Sequence, residues 1–135
     1  MIEVPAAALR ARHVLAEVDF GSLGTNDLGQ YTMAADRMQG ELATLLDPWQ
    51  PAVLDLVAAA CDGGRETGKP VGVCGEAAAD PLLALVLTGL GVSSLSMAPT
   101  RVSAVRASLS LHDLRTCTAM AAAARAVTPT HDAHK

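Results

Sequence analysis

The sequence predicts an α/β fold built on a parallel sheet, and two observations carry that expectation. Short apolar runs that read as strands recur at residues 2–4, 18–23, 71–74 and 95–97, and longer stretches with helical spacing separate them. The strand-like runs lack polar alternation, as parallel strands buried on both faces do. Strand–helix alternation of this kind places the helices outside the sheet.

The elements follow in order. Residues 6–17 carry Leu9, His13 and Ala16 at helical intervals after Pro5, which suits the first turn of a helix. Residues 52–61 place Val53, Leu54, Val57 and Cys61 on one face, and Gly63-Gly64 is expected to end or loosen that helix. Asp80-Pro81 reads as an N-cap and first turn opening residues 82–90, with Gly91 as the stop. Pro99 opens a helix through Leu109, and residues 111–127 read as a final, alanine-rich one. Residues 1–127 are therefore expected to form one domain, with residues 128–135 a polar, frayed tail.

Composition narrows the function classes. The chain of 135 residues has the size of one small domain, and half of it is hydrophobic, mostly Ala, Leu and Val. One each of Phe, Tyr and Trp leaves few stacking platforms for single-stranded nucleic acid. A net charge of −4 argues against general affinity for phosphate backbones. No apolar run reaches the roughly 18–20 residues that span a bilayer, so no membrane insertion is expected. The N-terminus lacks the basic start and cleavage site of a secretory signal. Cys61, Cys74 and Cys117 match no zinc pattern and read as free thiols, which suits a reducing cytoplasm.

In parallel α/β folds, chemistry gathers beyond the C-terminal ends of the strands. Glu3, Asn26, Asp27 and Cys74 fall there. Taken singly, each has a plain structural reading: a solvated carboxylate, a turn or N-cap pair, a small buried hydrophobe. Their shared placement says more, because two carboxylates at one rim repel unless a cation lies between them.

The stretch D-F-G-S-L-G-T-N-D-L-G-Q-Y-T-M-A-A-D-R at 19–37 resembles the signature of phosphoenolpyruvate-utilising phosphotransferases. Four further segments agree in order: I-E-V-P-A-A-A at 2–8, P-W-Q-P-A-V-L at 48–54, G-K-P-V-G-V-C-G-E at 68–76 and S-L-S-M at 94–97. Q-Y-T-M-A-A-D-R is nearer to Enzyme I of the bacterial sugar phosphotransferase system, a phosphoenolpyruvate–protein phosphotransferase, than to pyruvate phosphate dikinase or phosphoenolpyruvate synthase. The resemblance implies a TIM-type (β/α)8 barrel, of which this chain carries the last four β/α units, a half barrel.

The resemblance also assigns roles. It implies Glu3 and Asp27 as the carboxylate ligands of Mg2+. Asn26, Asp27 and Arg37 are then substrate-binding, with Asn26 and Arg37 on the phosphate. Cys74 is the acid that protonates carbon 3 of the pyruvate enolate, and Gly24 and Gly75 keep the backbone close to the ligand. The implied ligands are phosphoenolpyruvate and pyruvate. The implied partners are a phosphohistidine domain and the histidine-containing phosphocarrier protein.

Two departures stand out. Gly21 replaces a bulky apolar residue, which is expected to loosen its strand, and Leu46-Asp47 replaces an aromatic and an amide before Pro48. A half barrel is further expected to leave Leu23, Val71, Val73 and Leu95 without packing partners, and so to form a homodimer, aggregate or fold only in part. Alternatives to a phosphotransferase fragment are a piece of one of the related enzymes, or a non-catalytic association module.

Overall fold

The computed structural model describes residues 1–127; the expected polar tail at 128–135 lies outside the described residues. The chain runs α1 (Pro5–Leu9), α2 (Ala11–Leu15), β1 (Gly21–Gly24), α3 (Thr25–Met33), α4 (Pro51–Thr67), β2 (Val71–Cys74), α5 (Pro81–Leu90), β3 (Ser94–Ser96), α6 (Pro99–Ser110) and α7 (Leu114–Ala126). Two 3-10 segments, Gly40–Leu46 and Glu76–Ala79, interrupt the connections.

The sheet is three-stranded and parallel in the order β1-β2-β3, with Gly24 opposite Cys74 and Cys74 opposite Ser96. The expected first strand is reduced to one parallel bridge between Ile2 and Leu23. Ile2 donates its amide to Ser22 at 2.7 Å, and its carbonyl accepts from Gly24 at 3.0 Å. Pro5 cannot donate a further ladder bond and instead opens α1, which cuts the strand short.

The strands do not lie between two apolar layers. Leu23, Val71 and Val73 are fully buried in a core that also holds Leu54, Val57, Leu83 and Val86 from the helices. The alternating positions are Ser22, Gly72 and Ser94, with Cys74 and Ser96 at the strand ends. This corrects the expected uncovered apolar face. Leu23, Val71 and Val73 pack under the helices, Leu95 packs partly against them, and the opposite face is small and polar.

Several helices differ from their expected limits. Residues 6–17 break in two at Arg10, whose φ of −107° and ψ of 21° leave the helical region. The buried stripe is Ala8, Ala11 and Leu15, whereas Leu9, His13 and Ala16 face solvent. Gly63-Gly64 does not end α4, which continues to Thr67 and stops at Gly68 in the left-handed conformation (φ 67°). Both glycines are there for space. A Cβ would stand 2.7 Å from the Arg12 nitrogen at Gly63, and 2.7 Å from the Lys69 carbonyl oxygen at Gly64.

Other expectations hold. Asp80 caps α5 by accepting from the amides of Leu82 at 2.9 Å and Leu83 at 3.3 Å, and Gly91 closes it with a φ of 109°. Each cap of this type contributes about 1 kcal/mol. Asp113 accepts from the Thr116 amide at 2.8 Å to start α7 three residues later than the apolar pattern suggested. The α5 segment Leu83–Leu87 is buried on every side, so α5 is the central helix. Gly21 does not loosen β1: a Cβ there would press within 2.9 Å of Leu15, whose side chain fills the space.

Candidate functional site at the strand ends

Where β1 ends, the backbone turns directly into α3, so Gly24 is at once the last strand residue and the N-cap of a helix. Asn26 and Asp27 consequently project from the first turn of α3 and not from a loop. The segment Thr25–Met33 is polar apart from Leu28, Tyr31 and Met33, which is why its helical character does not show in the apolar pattern.

Glu3 lies beside this turn. A Cβ on Gly24 would stand 2.8 Å from Glu3 Cγ and 2.9 Å from its Oε1, so the glycine makes room for the carboxylate. On the other side, β2 delivers Cys74 next to Gly24 in register. The Cys74 thiol is half-buried and donates to the Leu23 carbonyl at 3.5 Å, while the Cys74 carbonyl accepts from the Thr25 hydroxyl at 3.1 Å. Thr25 is the one buried polar side chain among the described residues.

Gly75 follows with a φ of 97°, a conformation L side chains rarely adopt. A Cβ there would meet Thr25 Oγ1 at 3.3 Å and Asn26 Oδ1 at 3.4 Å. Glycine thus lets the β2 end close onto the first turn of α3.

The structure therefore gathers Glu3, Asn26 and Cys74 around two glycines at one end of the sheet, with Asp27 next to Asn26 in the first turn of α3. Arg37 arrives by another route. Ala34 takes a left-handed conformation (φ 51°) at the end of α3, and the Arg37 amide donates to Gln30 Oε1 at 3.2 Å. Arg37 and Asn26 line one cavity of about 520 Å³ with Leu46, Asp47 and Glu76. Asn26 also lines a second cavity, of about 680 Å³, with Gly75, Glu76, Asp80, Ser96 and Arg101. Glu3, Asp27 and Cys74 line neither of these two cavities.

Sequence reasoning missed Thr25, Glu76 and Arg101. Glu76 directly follows Cys74-Gly75, and Arg101 sits in the first turn behind Pro99, so adjacency to the singled-out residues was the available signal. Asp80 proves to have two tasks, because its Oδ2 also accepts from Trp49 Nε1 at 3.3 Å. Asp47, at one of the departures, accepts from the Trp49 amide at 3.0 Å and borders the Arg37 cavity.

Among the described residues, no three His, Cys, Asp or Glu side chains come close enough to hold a metal by themselves. The three ion pairs found there, Arg12–Glu66, Arg65–Asp62 and Arg125–Asp55, all lie elsewhere and leave Glu3 and Asp27 out. Glu3 and Asp27 are hard oxygen donors, the type that Mg2+ takes along with substrate oxygens and water.

Residues 1–114 match the family described as PEP-utilising enzyme, PEP-binding domain. The chain belongs to that family. The PEP-utilising family resemblance extends to named relatives. The chain is 60% identical over 133 residues to a phosphoenolpyruvate-protein phosphotransferase of Streptomyces coelicolor, covering 98% of this chain and 24% of that protein. It is 49% identical over 109 residues to the protein of that name from Geobacillus stearothermophilus, covering 81% and 19%. A multiphosphoryl transfer protein of Xanthomonas campestris is 50% identical over 109 residues, covering 81% and 13%. The chain thus spans about a quarter or less of the length of these relatives.

Proposed function

We propose that this chain is part of the phosphoenolpyruvate-binding domain of a phosphoenolpyruvate–protein phosphotransferase, which moves the phosphoryl group of phosphoenolpyruvate to a protein histidine and releases pyruvate. The observation that carries the reading is the gathering of Glu3, Asn26 and Cys74 around Gly24 and Gly75, with Asp27 in the same first turn of α3 as Asn26. The three parallel strands and the Ile2 bridge correspond on this reading to the last four strands of a (β/α)8 barrel.

Glu3 and Asp27 would hold Mg2+, which would supply neutralisation of the phosphoryl charge. The Arg37 guanidinium offers a planar donor fork to phosphate oxygens, and the Asn26 amide adds a donor beside it. Phosphoryl transfer needs positioning and charge neutralisation above all, and these side chains provide both. When the bond between phosphorus and the enol oxygen breaks, its electron pair stays with the enolate. The Cys74 thiol gives its proton to carbon 3 to form pyruvate. The thiolate regains a proton from solvent.

The histidine acceptor and the phosphocarrier protein belong to other parts of the system, and the cytoplasm is its compartment. Three free thiols are consistent with that compartment. We further propose that the complete protein is a homodimer.

The test is a chimera in which this chain replaces the segment of the Streptomyces coelicolor relative with which it aligns. Purified chimera is expected to release pyruvate from phosphoenolpyruvate in a Mg2+-dependent reaction with phosphocarrier present. A folded chimera that neither binds nor turns over phosphoenolpyruvate refutes the reading.

A further inference from the structure

Two cavities meet at Asn26, and only one of them contains a second residue assigned to the ligand. The cavity of about 520 Å³ has Arg37. The cavity of about 680 Å³ runs from Asn26 and Gly75 across the ends of β2 and β3 to the first turn of α6, where Arg101 borders it. Among the described residues, the cationic ones lining the two are Arg37 and Arg101, against Glu76, Asp80 and Asp47. Two of these three carboxylates already serve protein donors: Asp80 caps α5 and holds Trp49, and Asp47 holds the Trp49 amide.

Arg101 has no evident structural task. It is exposed, and none of the ion pairs among the described residues includes it. A cation in the first turn of a helix also opposes the helix dipole, so its position does not serve the stability of α6. A guanidinium with no ion-pair partner among the described residues, bordering the cavity that Asn26 shares, is suited to an anionic ligand.

We propose that Arg101 is a second guanidinium for the phosphoryl group of phosphoenolpyruvate, gripping it from the side of Asn26 opposite Arg37. The inference rests on the functional reading above. A phosphate presents several acceptor oxygens and close to two negative charges, enough for two guanidinium forks and one amide. Arg101 is thereby a binding residue that sets affinity for the phosphorylated ligand and has no part in proton delivery.

The experiment uses the same full-length chimera, with binding read by calorimetry in the presence of Mg2+. Arg101→Ala is expected to weaken phosphoenolpyruvate by about tenfold, the usual scale for losing a hydrogen bond to a charged group. Arg101→Lys keeps part of the affinity, and Arg101→Glu binds more weakly than Arg101→Ala. Pyruvate, which lacks the phosphoryl group, binds all variants alike. Arg106→Ala, on the same helix but away from the rim, binds as the parent does. Unchanged melting temperatures establish that the exposed substitutions leave the fold intact. A parent that binds phosphoenolpyruvate and an Arg101→Ala variant that binds it equally well overturn the inference alone. Equal weakening of pyruvate and phosphoenolpyruvate overturns the phosphoryl assignment. A parent chimera that does not bind phosphoenolpyruvate overturns the functional reading beneath it.

Discussion

The hydroxyl of Thr25 donates to the carbonyl oxygen of Cys74 at 3.1 Å, tying the first residue of α3 to the last residue of β2. It is a partly buried bond between the helix that carries Asn26 and Asp27 and the strand that carries Cys74. Thr25→Val keeps the shape and leaves that carbonyl unpaired, at a cost of about 1–3 kcal/mol. In the chimera we expect a lower unfolding midpoint in urea and a lower kcat. Thr25→Ser, which can rebuild the bond, recovers kcat more than midpoint. Loss of stability without any change in kcat would show that the bond supports the fold alone.

Cys74→Ala and Asp27→Ala are expected to separate the two halves of the proposed chemistry. The first removes the proton donor and lowers pyruvate formation while phosphoenolpyruvate binding persists. The second removes a carboxylate of the metal pair and abolishes Mg2+-dependent binding. Titration calorimetry alongside a pyruvate assay decides. Equal loss of affinity in both variants contradicts this division of roles.

Gly89 marks the closest approach of α5 and α7, because a Cβ there would overlap the Cys117 carbonyl. That obstacle is backbone, and no rotamer change relieves it. Gly89→Ala is therefore expected to lose at least about 1–3 kcal/mol in place of the gain alanine brings to an ordinary helix. Chemical denaturation measures it. A stabilised variant would mean that α7 is free to move outward.

The three thiols should differ in reactivity. Burial pushes the Cys61 thiol up to about 11, with Arg65 opposing the shift. Cys117 is also buried, whereas Cys74 is half-buried at the strand ends. A thiol reagent at pH 8 is expected to modify Cys74 first and the other two only as the protein unfolds. The raised value also fixes a pH dependence. Cys61 stabilises the fold fully below its ordinary value of 9.0, and that contribution is lost as pH climbs through about 11. The stability gap between the parent and Cys61→Ala should narrow over that window. A gap that stays constant argues that Cys61 titrates normally.

Expressed by itself, the 135-residue polypeptide is expected to release no pyruvate from phosphoenolpyruvate, since it spans 24% of its Streptomyces coelicolor relative. Its β3 edge offers unpaired backbone groups, which recruit other strands. We expect sedimentation to show self-association at micromolar concentration, weakened by Ser94→Pro, which blocks the edge. Turnover above a protein-free control, or a monomer at every concentration, would contradict the respective halves of this expectation.

How much of this was legible depended on whether the cause was local. Asp80-Pro81 and Gly91 set the limits of α5 through contacts within a turn, so sequence and structure agree. The end of α4 was misplaced because Gly63 and Gly64 answer to Arg12 and Lys69, and nothing in a local pattern distinguishes a stop from a close approach. α3 was hidden because its few apolar residues leave little helical stripe. Among the site residues, the placement of Glu3, Asn26, Asp27 and Cys74 at strand ends was accessible from strand order. Thr25 and Arg101 depend on which strands are neighbours and on how α6 turns over the sheet, and the chain order alone does not contain that.

The stretch after α3 has one more consequence. Among the described residues Arg37 has one hydrogen bond, from its amide to the Gln30 side chain, Met38 beside it is 85% exposed, and the segment Gly40–Leu46 buries no residue. Asn26 and Cys74, by contrast, are fixed by helix and sheet. On the proposed reading, a ligand would meet one half of its site already shaped and would itself order the other half. Binding of this kind spends favourable enthalpy on lost chain entropy, and it makes affinity fall steeply on warming. It also puts recognition of the phosphoryl group after first contact at the rigid wall, so a molecule that touches the wall without that group leaves the Arg37 stretch as loose as it found it.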